Sequence, residues 1–129
     1  MARVTQVNDI AVRFSQAAGA ANTTLQTIQV TRKDGTPLAG RFPLDVWFTA
    51  NLATLAETGT TYSGAVTATV GTIVNVVTAK KNLRCMTDAN GRLTISIVDT
   101  ENTEDFAVVQ AYGLDPRVAI SPAFTAWGE

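Results

Sequence analysis

The chain has 129 residues, 46% hydrophobic and 16% charged, with a net charge of −1 and no histidine. This length favours one domain burying about two-thirds of its extended surface, and the composition excludes a disordered chain or a polyanion binder driven by bulk charge. Without histidine the usual general base, the commonest metal ligand and every Ser-His or Cys-His nucleophile pair are missing, so the expectation is a non-enzyme with no catalytic residue and no cofactor.

Met1 to Asp9 carries no apolar run behind Arg3 that could serve as the core of a secretory signal, so synthesis in a cytoplasm is expected. Met1 to Gln6, which includes Arg3 and Val4, lacks apolar bulk and could form an arm along a neighbour. Ile10, Val12 and Phe14 alternate with Ala11 and Arg13, the period of a strand with one wet face. Gln16 to Asn22 is small and polar around Gly19 and reads as a flexible connection. A second strand spans about Leu25 to Arg32 and ends at Lys33-Asp34-Gly35-Thr36-Pro37, whose turn chemistry predicts a reversal. Phe42, Leu44, Val46 and Phe48 share one face of a third strand, with Asp45, Trp47 and Thr49 opposite.

Ala50 to Gly64 reads as a long crossing segment. Ala65 to Ala79 is rich in Val, Thr and Ile around Gly71, consistent with two short strands or one bent strand. Its weak patterning specifies register poorly, which makes it the expected place for contacts between subunits, although an ordinary edge strand accounts for the same pattern. Leu83, Cys85 and Thr87 alternate, Asp88-Ala89-Asn90-Gly91 supplies a turn, and Leu93, Ile95 and Ile97 alternate again, predicting a hairpin. After an acidic loop from Asp99 to Asp105, Phe106, Val108, Gln110 and Tyr112 alternate with Ala107, Val109 and Ala111. A last strand covers about Val118 to Phe124. About seven short strands with no helical period predict an all-β, antiparallel β-sandwich, a single domain over 1–129 with its core at about 5–124 and a tail at 125–129.

Two segments carry a resemblance: "TRKDGTPLAGRFPLDVWFT" (Thr31 to Thr49) and "MTDANGRLTISIVDTENTEDFAVVQAYG" (Met86 to Gly113). Together they resemble bacterial immunoglobulin-like domains, and more closely the small immunoglobulin-like proteins of tailed-phage virions. Those proteins share the "VW" strand, the "TDANGR" turn and a closing strand such as Gly113 to Ser121. The likeness spans roughly residues 25 to 124 and rests on turn and core signatures. The Ala/Thr-rich middle departs from the pattern, as does the lack of paired cysteines. The resemblance implies a capsid decoration or cement protein on the outer surface of a mature head, with the major capsid protein and copies of itself as partners. It also implies a homo-oligomer such as a trimer, while the near-neutral charge and the lack of an apolar run of about 18 residues predict no nucleic-acid or membrane partner. The alternative is a tail, baseplate or fibre component or a carbohydrate-binding module, which would draw on Trp47, Tyr62 and Tyr112. A cell-surface adhesin fragment is a third class, disfavoured by the absence of a signal and of tandem repeats.

Chemical constellations are few. Asp99, Glu101, Asn102, Glu104 and Asp105 could offer oxygen ligands to a hard cation, but their spacing matches no defined loop, and a solvated acidic turn is expected, with no metal. Cys85, alone and in strand alternation, reads as a small core hydrophobe. Lys80, Lys81 and Arg84 lack interleaved aromatics and read as a solvated strand end. Phe124 ends the expected last strand and Trp127 lies beyond it, where aromatics are candidate anchors for a partner or a cover folded over the sandwich edge. The candidate interface residues are therefore Arg3, Val4, Trp47, Phe124 and Trp127.

Overall fold

A computed structural model describes residues 10–111, 114 and 117–129. Among these residues the structure is all-β. The strands are β1 (Ile10–Ala18), β2 (Thr23–Arg32), β3 (Pro43–Thr49), β4 (Val66–Val70), β5 (Thr72–Thr78), β6 (Asn82–Met86), β7 (Arg92–Val98), β8 (Phe106–Gln110) and β9 (Val118–Ile120). They form two antiparallel sheets, one of four strands in the order β1-β2-β7-β4 and one of five in the order β5-β6-β3-β8-β9. Ile28, Val30, Leu93, Ile95 and Ile97 from the first sheet share one buried cluster with Leu44, Val46, Phe48, Leu83 and Val109 from the second. The period-two apolar positions thus meet face to face in a β-sandwich.

Three local differences from the sequence expectation have physical causes. Gln16, Ala17 and Ala18 do not form a connection. They pair with Gln26, Leu25 and Thr24, and the β1–β2 turn is compressed into Gly19–Asn22. Nor do β6 and β7 form a hairpin, since they belong to different sheets. The Asp88–Gly91 turn forms as expected, with Asp88 Oδ1 accepting from the backbone N–H of Asn90 and Arg92, but it carries the chain across the sandwich. Alternation reveals which face is buried and says nothing about which strand lies alongside. Gly91 (φ 72°) is required here, because a Cβ would collide with the Leu38 carbonyl oxygen.

The third difference is at Ala65 to Ala79, where β4 and β5 lie at the edges of opposite sheets. Gly71 joins them at φ 80°, and a Cβ there would lie 2.7 Å from the Met86 carbonyl oxygen. The expected bent strand and pair of short strands are therefore one feature, a chain that changes sheets at a glycine. This split helps raise the strand number among the described residues to nine, above the expected seven or so.

Candidate functional site

The segment after Ala119 closes the sandwich. Phe124 is fully buried, its ring 5.8 Å from Phe48 in an edge-to-face arrangement. This corrects the expectation that Phe124 is a surface anchor: an apolar ring this size gains more from the open end of the core than from solvent. Its N–H donates to the Asp105 carbonyl at 2.9 Å. Trp127 is half-buried against the core, and its indole N–H donates to the Phe124 carbonyl at 3.1 Å. It folds back over the sandwich.

Gln16 holds this segment in place. Its Oε1 accepts from the backbone N–H of Thr125 at 3.0 Å and of Ala126 at 3.1 Å, and its Nε2 donates to the Ala123 carbonyl at 3.0 Å. Gly128 adds a backbone pair, donating to the Thr23 carbonyl and accepting from the Asn22 N–H. The expected tail at 125–129 is thus tied across β1 and the start of β2. No local pattern marks Gln16 for this role, because its partners are more than a hundred residues away.

The acidic loop is less solvated than expected. Glu101, Asn102 and Glu104 are exposed, but Asp99 and Asp105 are buried. Asp99 accepts from the Thr103 hydroxyl and backbone N–H and from the Ser63 and Glu101 N–H groups. Burial raises its pKa, but those donors outweigh burial and hold it below the usual carboxylate range. Asp105 Oδ2 accepts from the Tyr62 hydroxyl at 2.7 Å. Tyr62 is itself fully buried, edge-on to Phe48 at 5.7 Å. Burial, followed by the Asp105 hydrogen bond and the Asp105 and Asp99 charges, pushes its hydroxyl far above the ordinary tyrosine range. Tyr62 is therefore a core residue and offers no exposed ring to a glycan. Among the described residues no group of three acidic, Cys or His side chains is arranged to hold a metal ion.

Arg3, Val4 and Tyr112 lie outside the described residues. Trp47 lies on the outward face of β3, half-buried, its indole N–H donating to the Leu55 carbonyl at 2.8 Å. It lines a shallow groove of about 140 Å³ with Asp45, Val77, Asn82, Arg84 and Gln110. Cys85 is buried, and burial together with the Asp45 charge pushes its thiol up to about 12, away from nucleophilic behaviour. The basic residues do not act together: Lys80 Nζ donates to the Tyr62 carbonyl, while Arg84 Nε lies 3.8 Å from Asp45 Oδ1 across two exposed side chains.

Among the described residues, the three most exposed large hydrophobics all lie on the edge strand β5. Val74, Val76 and Val77 are 63%, 52% and 50% exposed. Among the described residues only Leu52 and Ile120 are other large hydrophobics so exposed. Among the described residues β5 pairs with β6 on one side, and no strand pairs with its other side. The β5–β6 register shifts between Ile73 and Asn75 and again between Val76 and Thr78, so Val74 and Val77 have no residue opposite them in β6. The stretch Ala65–Ala79 carries no charged residue. Proteins commonly protect such edges with Lys, Pro or a covering loop, and β5 carries neither Lys nor Pro.

By contrast, the outer face of the four-stranded sheet is polar, with Arg13, Gln29 and Arg92 in register across β1, β2 and β7 and the Thr27 and Thr94 hydroxyls paired at 2.9 Å. Comparisons with protein-family models, with curated proteins and with solved structures found no match to this chain.

Proposed function

We propose that this chain is a structural protein of a tailed-phage virion, an immunoglobulin-like sandwich that decorates the outer surface of the mature capsid and acts by binding rather than by catalysis. The strand order supports the immunoglobulin-like part. In chain order β1, β2, β3, β4, β7, β8 and β9 correspond to strands A to G of a seven-strand domain, giving sheets A-B-E-D and C-F-G. The β5–β6 hairpin is an addition between D and E, laid on the free side of β3. The observation that carries the reading is the placement of the exposed valines: they lie on that added hairpin, outside the seven-strand frame, while the frame's own core is closed by Phe48, Tyr62 and Phe124. An apolar edge beyond what the domain needs for its own stability is suited to joining a larger assembly.

The partners under this reading are the major capsid protein and further copies of the chain. A subunit that binds only the mature lattice stabilises it by mass action, about 2.7 kcal/mol per site when free subunit is at a hundred times its Kd. The glycan-binding alternative would require a row of exposed aromatics, and burial of Tyr62 leaves it less support. The test is titration of the purified chain onto undecorated mature heads. Saturation at a lattice-defined stoichiometry, with increased resistance of the heads to heat, is expected. Failure to saturate, or saturation with no gain in resistance, overturns the reading.

A further inference from the structure

We propose that the surface covering the β5 edge is the same edge of a second copy, paired antiparallel about a two-fold axis through Asn75. This rests on the reading of β5 as the assembly surface and names its partner. The strand reads Thr72-Ile73-Val74-Asn75-Val76-Val77-Thr78, which is nearly the same in both directions. Folded onto itself about Asn75, it sets Thr72 opposite Thr78, Ile73 opposite Val77, Val74 opposite Val76 and Asn75 opposite Asn75. Every apolar residue then meets a β-branched apolar residue and every polar one meets its like, the favourable cross-strand pairs of an antiparallel ladder. A shift of one residue in one direction sets Asn75 against Val76 and Ile73 against Thr78, and in the other sets Asn75 against Val74 and Thr72 against Val77. The match therefore belongs to one register.

The in-chain irregularities point the same way. Val74 and Val77, left opposite nothing in β6, gain Val76 and Ile73 of the second copy as neighbours. Bulges increase local twist, so a flat strand fits this edge poorly, whereas an identical edge has the same twist. The seven paired residues include no charge, so two copies approach without the repulsion that Lys at an edge provides elsewhere. The long outer strand of the other sheet, β1, carries Arg13, and the remaining edges, β4 and β9, are only five and three residues long. A two-fold contact uses the same patch on both subunits and closes at a dimer, in place of the trimer implied by the resemblance.

Sedimentation of the isolated chain over a range of concentrations, together with cysteine trapping, tests this. The wild-type mass should rise from 13.7 kDa to twice that value. Val76→Lys should weaken the dimer at least tenfold while leaving unchanged the melting curve at concentrations low enough for the wild type to be monomeric. Under mild oxidation Asn75→Cys should form a covalent dimer, because the residue faces its own copy. Thr72→Cys should not, because its copy lies about 20 Å away along the paired strands. A chain that stays monomeric, forms a trimer, ignores Val76→Lys or crosslinks equally at both positions overturns the proposal. If Val76→Lys unfolds the chain, the two cysteine variants decide alone. Heads that stay bare while the dimer forms contradict the virion reading and leave the pairing intact. A monomer that still decorates heads does the reverse.

Discussion

Tyr62→Phe isolates one buried hydrogen bond. The substitution keeps the ring that lies edge-on to Phe48 at 5.7 Å and removes only the hydroxyl that donates to Asp105 Oδ2 at 2.7 Å. Both residues are almost fully buried, and among the described residues this is the only hydrogen bond to the Asp105 carboxylate. A hydrogen bond to a charged acceptor contributes about 1.5–3 kcal/mol, and an acceptor left unmatched in the interior costs its full desolvation. The expected loss is therefore about 2 kcal/mol. In urea, with a slope of about 1–3 kcal/mol/M for a domain of this size, the midpoint should fall by about 1 M with the slope unchanged. A cycle with Asp105→Asn should show that the two changes are coupled and do not add. A loss under about 0.5 kcal/mol, or strict additivity, would refute the reasoning by showing that water already serves that carboxylate.

Three further outcomes are expected. Phe124→Ala should cost about 3–5 kcal/mol in chemical unfolding, the range for emptying a buried aromatic site, and a change under 1 kcal/mol would show that the ring is not core. Asp99 titrates below its unfolded value, so its contribution is fully present above about pH 4 and is lost as pH falls through the folded pKa. Asp99→Asn should lower stability near neutrality and flatten the acid limb of the stability profile; an unchanged acid limb would be the contrary result. The Cys85 thiol should react with a thiol reagent at about pH 8 only as fast as the chain opens, and immediate labelling of the folded protein would contradict its burial.

Much of the sandwich was legible in the sequence because each strand is read by its own alternation. Ile28 and Val30, then Leu44, Val46 and Phe48, then Leu93, Ile95 and Ile97 all face the core as their period predicts. The turn residues were equally local: Asp34 Oδ1 accepts the Thr36 N–H at 2.9 Å, and Asp88 caps its own turn. What alternation cannot provide is the identity of the adjacent strand, so the Asp88–Gly91 turn looked like the tip of a hairpin and is a crossing between sheets. Residues whose role depends on distant partners were also misread. Phe124 and Tyr62 looked like available aromatics until the core closed around them, and Asp99 and Asp105 looked like loop charges until Thr103, Ser63 and Tyr62 were brought to them. The β5 edge was partly visible, because an uncharged, β-prone stretch with weak register is itself a signal of pairing with another chain. Its exact place depended on Gly71, which sends the chain from one sheet to the other.

In the proposed assembly the molecule completes its own core and offers one edge, Thr72–Thr78, to a second copy. Amide hydrogen exchange compared between dilute chain and assembled protein tests it most directly, because an edge strand's unpaired N–H groups gain protection only when another strand covers them. Protection should rise in Thr72–Thr78 while the β1 edge, Ile10–Ala18, stays as it was. Unchanged exchange in β5, with new protection at β1, would contradict it.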